Sequence, residues 1–205
     1  LYAWEDSRGG VRASIVDETT GVPMLTDVSI DASATRARCL AFKSYLYVYY
    51  YKSGSLYARR INPKEPTAFD AAVEISDTVN TSNPTYDILN YANIRMIFAH
   101  NVQGASEIKL GFVDENPTVL AGVLAPKTIS EAATDSIAII QGTSQKIILA
   151  YYNSTDKLRA TILNNGGTTL VSPATIDSIA TTVRNITGYN SDDDETTLLY
   201  EIDET

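Results

Sequence analysis

Tyrosine is the side chain through which this sequence could best recognise a ligand, with 13 tyrosines against four phenylalanines and one tryptophan. From Tyr45 to Tyr51 every second residue is a tyrosine, and a β-strand would place those rings on one side of a sheet. Such rings stack on sugars or fill protein interfaces, and they also pack well between sheets. Tyr49, Tyr51 and Tyr151 are therefore the candidate contacts for a glycan or a protein partner, with packing between sheets as the alternative.

Catalytic and metal-binding patterns are weak. His100 is the single histidine and Cys39 the single cysteine, which excludes metal sites with several such ligands and internal disulfides. Ser154 and Lys157 fit the S-x-x-K pattern of some acyl-transfer enzymes, but they fall where a hairpin turn is predicted. The acidic run that starts at Asp192 lacks the glycine and glutamate spacing of an EF-hand loop. We expect a protein that is not an enzyme, with no catalytic residue, cofactor or metal, and we expect His100 in a loop or at a sheet edge.

The charge of the chain limits its partners. The formal net charge is −9, and lysine and arginine form no basic run, so a nucleic-acid-binding surface is not expected. No apolar run reaches the length of a membrane span, so membrane insertion is not expected either.

The sequence repeats itself. The first 17 residues, LYAWEDSRGGVRASIVD, align without a gap with the 17 that begin at Ile148, and five positions are identical. Looser copies begin at Leu46, Met96 and Leu199, so the spacing is 45 to 52 residues. A second marker, Ile followed by Asp or Ser, recurs in the same phase, at Ile30, Ile75, Ile129 and Ile176.

This repeat predicts an all-β fold, specifically a β-propeller. Each copy contains an aromatic strand, a polar hairpin and further short strands, and four strands in about 50 residues is typical of a propeller blade. We expect four consecutive four-stranded blades at 1–44, 45–92, 93–144 and 145–193, then the first strand of a fifth at 194–205. Because the fifth copy has the phase of the first, we expect these blades to be part of a larger ring. A β-sandwich with fortuitous similarity is the alternative.

The repeat resembles the degenerate propeller repeats of tailed-phage virion structural proteins, in particular the tail nozzle (tail tubular B-type) proteins. The resemblance rests on an aromatic strand, a polar hairpin and an L/V-R-A-x-I strand, as in LRATI from Leu158 to Ile162. It implies a non-enzymatic structural and interaction module of a phage tail, assembled in the host cytoplasm into the virion. It also implies other virion subunits as partners and a homo-oligomer, and it assigns no functional residue.

Two other functions remain open on the sequence alone. One is a carbohydrate-binding propeller or adhesin in which tyrosines stack on sugars. The other is part of a glycoside hydrolase whose site is completed outside this fragment, since carboxylates are plentiful but no pair stands out.

Overall fold

The protein is an all-β chain of antiparallel sheets, which confirms that part of the prediction. The computed structural model describes residues 1–7, 9–113, 127–131, 133–153, 155, 157–178, 183–190 and 195–202, and in these ranges it contains 17 strands and no helix. In the same ranges no helix is long and apolar enough to cross a membrane. The sequence also predicts a strand near Val119 to Val123, within the third repeat, and this segment lies outside the described residues.

The described chain divides into two compact units: Leu1–Thr78 with Val113, and Val79–Phe112 with the described residues from Lys127 onward. The first unit holds two sheets in its described part: sheet 1 has the order β1-β2-β3 and sheet 2 the order β4-β5-β6-β7. Their bounds are β1 (Tyr2–Glu5), β2 (Val11–Val16), β3 (Pro23–Asp31), β4 (Thr35–Phe42), β5 (Tyr45–Lys52), β6 (Ser55–Ile61) and β7 (Val73–Ser76).

The described part of the second unit holds three sheets. Sheet 3 has the order β11-β10-β9-β8, sheet 4 the order β12-β13-β14-β15, and sheet 5 pairs β16 with β17. Their bounds are β8 (Tyr86–Tyr91), β9 (Arg95–Asn101), β10 (Ile108–Val113), β11 (Lys127–Ile129), β12 (Ala133–Gln141), β13 (Lys146–Asn153), β14 (Lys157–Asn164), β15 (Thr169–Asp177), β16 (Val183–Asn190) and β17 (Thr196–Ile202).

The repeated aromatic strand takes the same place in each described four-stranded sheet. It is β5, β9 and β13, each second in a sheet of four, while β17 is paired with β16 and β1 with β2. The sheets are nevertheless offset by one strand from the predicted blades. The strand expected to end each repeat, such as β4 in 1–44, pairs instead with the aromatic strand of the next repeat.

Tight hairpins explain this offset. Two residues, Lys43 and Ser44, join β4 to β5, and Lys43 has a φ of 49°. Ala92 and Asn93, between β8 and β9, also have positive φ, as do Ser144 and Gln145 between β12 and β13. Positive φ at the central residues matches the twist of a two-stranded hairpin, but the usual sequence signal is Asn-Gly or Asp-Gly. None of these positive-φ positions is a glycine and none of the turns is Asn-Gly or Asp-Gly, so the usual hairpin signal is missing from the sequence at all three.

The core lies between the faces of successive sheets within each unit. In the first unit, Val11, Ala13 and Ile15 of β2 pack with Val48 and Tyr50 of β5. In the second unit, one cluster joins sheets 3 and 4 and another joins sheets 4 and 5. Alternate residues of a strand point to opposite faces, so a strand such as β13 supplies side chains to both clusters.

Candidate functional site

The three tyrosines predicted as contacts lie in packed surroundings. Tyr49 is 0% exposed and stacks on Tyr47, with ring centroids 6.0 Å apart. Burial, and then the nearby Tyr47, raise the pKa of Tyr49 well above its usual value. Tyr51 is half-buried, and its hydroxyl oxygen accepts a hydrogen bond from Gly54 N at 3.0 Å, which closes the β5–β6 hairpin. The full burial of Tyr49 matches the packing alternative, whereas Tyr51 is partly exposed.

Tyr151 belongs to a polar cluster between sheets 3 and 4. The ring is 0% exposed, and its hydroxyl donates a 2.6 Å hydrogen bond to Glu131 Oε2. Arg159 Nε lies 2.7 Å from the same oxygen as an ion pair without hydrogen-bond alignment, and Arg159 Nη2 donates to Pro173 O at 2.9 Å. Burial, then the bond to Glu131, raise the pKa of Tyr151. The cluster satisfies its charges internally, so we interpret it as structural.

Related clusters occur at two other junctions between successive sheets. Tyr200 of β17 donates to Asp177 Oδ2 at 2.9 Å, between sheets 4 and 5. Between sheets 1 and 2, Lys52 Nζ donates to Asp31 Oδ2 at 2.8 Å, and Asp31 contributes to raising the pKa of Tyr50 to about 12, after burial. The acidic residues follow the Ile30, Ile129 and Ile176 markers directly or one residue later. The second marker of the sequence therefore supplies a carboxylate to each of these junctions.

His100 lies inside a strand, not in a loop or at a sheet edge as predicted. It is 0% exposed in β9, stacks on Phe98 at 6.1 Å, and its Nδ1 lies 2.9 Å from Asn101 O. A carbonyl oxygen only accepts, so this ring nitrogen carries the proton. Among the described residues, no group of three or more His, Cys, Asp or Glu side chains could hold a metal ion. Ser154 and the acidic run 192–194 lie outside the described residues.

An open cavity of about 440 Å³ in the second unit is the clearest candidate binding site. We call it the edge cavity, since the ends of β8, β12 and β16 and the turn after β12 form it. Its lining residues are Leu89, Ile139, Ile140, Gln141, Gly142, Thr143, Gly188, Tyr189 and Asn190. Its volume falls in the range of small-molecule sites in proteins, about 300–1,000 Å³.

The edge cavity combines one exposed ring with neutral polar groups. Tyr189 is 57% exposed. Gln141 Oε1 accepts the amide proton of Ala92 at 2.9 Å, so the side chain is anchored on one side with its NH₂ group as donor. Asn190 Oδ1 accepts from Thr196 Oγ1 at 2.9 Å. Amides, a hydroxyl and an aromatic face are groups that can hold sugar hydroxyls and the apolar side of a sugar ring.

Gly188 allows the walls of the cavity to approach each other. A Cβ at this position would lie 2.5 Å from Ile140 Cδ1 and 2.7 Å from Thr197 O. Any larger residue would force Ile140 Cδ1 to shift and would push β16 away from β17, because the backbone carbonyl of Thr197 cannot move aside. Gly188 therefore fixes the position of its neighbour Tyr189.

The sequence did not single out Tyr189. The sequence predicts a strand from Val183 to Tyr189, and an aromatic residue beside the polar Asn190 at the end of that strand is the signal that could have identified Tyr189. Tyr49 and Tyr151 lie in the strands that repeat most clearly, so the sequence pattern favoured them as ligand contacts. The repeat pattern marks residues that pack between sheets, whereas Tyr189 is exposed.

Comparisons with known proteins reveal similarity in fold only. No protein-family model and no curated protein matches this sequence. AofleA from Arthrobotrys oligospora has a TM-score of 0.61 at 12% identity, over 97% of this chain and 60% of that one. A variant of Aleuria aurantia lectin in complex with Fucα1-6GlcNAc has a TM-score of 0.57 at 14% identity, over 98% and 70%.

A third similar structure is an enzyme. Exo-β-1,3-galactanase from Phanerochaete chrysosporium, with β-1,3-galactotriose, has a TM-score of 0.56 at 9% identity. The similarity covers 97% of this chain and 56% of the galactanase chain. This chain thus spans less than two thirds of the length of AofleA and of the galactanase.

Proposed function

We propose that this chain is a carbohydrate-binding module and that it binds a glycan in the edge cavity. The observation that carries the proposal is the exposed ring of Tyr189 beside the neutral polar groups of Gln141, Thr143 and Asn190. The glycans in the similar lectin and galactanase structures favour the same class of ligand. This was the alternative that the sequence left open beside the phage-tail role.

We also propose that the sheets are blades of a β-propeller. Each described four-stranded sheet has consecutive strands as neighbours, and the aromatic strand recurs at spacings of 45 to 52 residues. Successive radial sheets of this kind are the repeating unit of a propeller. The similarity to the lectin supports this architecture. The tail-component role, its oligomer and its virion location stay predictions from the repeat pattern.

Binding without hydrolysis is the activity that fits the edge cavity. Glycoside hydrolases generally use a pair of carboxylates that flank the scissile bond. The described residues that line the cavity carry no carboxylate. These described residues would hold a glycan through its hydroxyls and its ring face.

A glycan array followed by calorimetry with the best ligand tests the proposal. We expect specific binding that Tyr189→Ala weakens about tenfold, since a lost aromatic contact of about 1.4 kcal/mol corresponds to that factor. Tyr189→Phe should retain most of the affinity, because it keeps the ring.

Tyr2→Ala is the matched control for this experiment. Tyr2 is 66% exposed and lies in the first unit, so its removal should leave the affinity unchanged. Equal loss in both variants would indicate nonspecific adhesion, and an array without binding would reject the proposal. Product release from the bound glycan would point to the hydrolase instead.

A further inference from the structure

The side-chain amide of Gln141 offers hydrogen bond donors to the edge cavity in one fixed orientation. The residue is exposed, and its Oε1 accepts the backbone N–H of Ala92 at 2.9 Å, in the turn between β8 and β9. Rotating the amide by half a turn would place its NH₂ group against that N–H, so this bond fixes the orientation. The two N–H donors of Gln141 are therefore available to a ligand group that accepts hydrogen bonds.

An apolar wall lies in the same cavity. Leu89 is partly exposed and packs against the core cluster that contains Ile139. Ile139 and Ile140 are 5% and 4% exposed, and Ile140 directly precedes Gln141 in β12. These three side chains line the edge cavity together with Gln141. A ligand methyl group that leaves water against this wall would strengthen binding by about fourfold.

The lining of the edge cavity also disfavours a charged ligand. None of the described residues that line the cavity has a charged side chain. A carboxylate, sulfate or ammonium group on a ligand would give up water there and gain no opposite charge from the lining, which is unfavourable. The group that contacts Gln141 is therefore expected to be uncharged.

We propose that the edge cavity prefers glycans that carry an N-acetylated hexosamine, an inference that rests on the glycan-binding function proposed above. An acetamido group is uncharged, its carbonyl oxygen would accept from the NH₂ group of Gln141, and its methyl group would cover the apolar wall. A hydroxyl in its place could accept from Gln141 but would bring no methyl group. The exposed ring of Tyr189 favours a sugar as the carrier of the acetamido group, because a sugar ring can stack on it.

Two matched pairs of sugars test this preference by calorimetry. One pair is the methyl glycosides of N-acetylglucosamine and glucose, and the other is those of N-acetylgalactosamine and galactose. The members of each pair differ only in the group at carbon 2. We expect the acetylated member of at least one pair to bind about tenfold more tightly, since it adds a buried methyl group and a carbonyl acceptor.

Gln141→Glu separates the hydrogen bond from the other contacts. Glutamate has the same length and keeps an oxygen for the N–H of Ala92, but its carboxylate has no proton to donate to a carbonyl. We expect the ratio of affinities within the pair to fall from about tenfold to about twofold, which corresponds to the loss of one hydrogen bond.

Gln145→Glu is the matched control. Gln145 is an exposed glutamine in the same turn, its Oε1 accepts from Asn165 Nδ2 at 2.8 Å, and it does not line the cavity. Gln145→Glu adds the same charge four residues away and keeps an oxygen for Asn165, so the ratio of affinities should stay at about tenfold.

Equal affinities within both pairs would overturn the preference for acetylated sugars and leave glycan binding intact. A ratio lowered equally by Gln145→Glu and Gln141→Glu would also overturn it, because the effect would then be due to charge alone. Equally tight binding of N-acetyl-lysine methylamide would assign the edge cavity to acetylated protein instead.

No binding of any of the four sugars at millimolar concentration would reject the preference, and the glycan array decides whether glycan binding fails with it. Tyr189→Ala, in contrast, should weaken both members of a pair by a similar factor. The two proposals can therefore fail separately.

Discussion

Tyr151 and Tyr189 are the same residue type in the same unit, but their surroundings give them opposite roles. Tyr151 is 0% exposed and donates its hydroxyl proton to Glu131, so it holds two sheets together. Tyr189 is 57% exposed at the rim of the edge cavity and has its ring available to a ligand. The difference teaches that the repeat pattern of this chain marks packing positions, and that the ring proposed for recognition lies outside the pattern.

The largest effect on the free energy of unfolding is expected from Tyr151→Ala. Truncating a fully buried aromatic residue costs about 3–5 kcal/mol, and here it also leaves Glu131 Oε2 without the hydroxyl donor. We expect the free energy of unfolding, measured by urea denaturation with fluorescence and circular dichroism, to fall by about 4 kcal/mol. Tyr151→Phe serves as control and should lose about 1 kcal/mol, because only the hydrogen bond is removed. A loss below 1 kcal/mol for Tyr151→Ala would contradict the structural role.

The pH dependence of the free energy of unfolding tests whether buried tyrosines such as Tyr151 differ from exposed ones such as Tyr189. Burial and the bond to Glu131 raise the pKa of Tyr151 in the folded state, and burial raises that of Tyr50 to about 12, whereas an unfolded tyrosine has a pKa of about 10. A raised folded pKa means that the neutral form is favoured by folding. Its contribution is complete below pH 10 and is lost as the pH rises above that value.

We therefore expect the urea midpoint to fall between about pH 10 and pH 12, and Tyr151→Phe to reduce the slope in that range. Adding Tyr50→Phe should reduce it further. Identical slopes for the wild type and the double variant would show that neither hydroxyl is held in its neutral form by the fold.

The smallest effect on stability is expected from Tyr189→Ala. An exposed side chain that contributes little packing changes the free energy of unfolding by about 0.5 kcal/mol or less. The same urea denaturation measures it, so a glycan-binding loss in this variant would report on the cavity and not on unfolding. A destabilisation above 2 kcal/mol would mean that Tyr189 packs as Tyr151 does, and the contrast between them would disappear.

Much of the fold could be predicted from local pattern. The spacing of Leu1, Leu46, Met96 and Ile148 placed the aromatic strands, and the structure has β1, β5, β9 and β13 there. Alternation along β5 also predicted its two faces, since Tyr47 and Tyr49 stack on each other while Val48 and Tyr50 join another cluster. These features depend on the period of a strand, which is a property of neighbours in sequence.

The tertiary structure alone decided which strand begins each sheet and which tyrosine meets solvent. Lys43, Ala92 and Ser144 are not glycines but adopt positive φ in their turns, because pairing along whole strands outweighs the local cost of that conformation. The exposure of Tyr189 depends on how β16 lies against β12, and no pattern within β16 encodes it. The sequence by itself determined strands, repeat and all-β class through local periodicity; pairing partners and burial were decided by contacts between residues far apart in the chain.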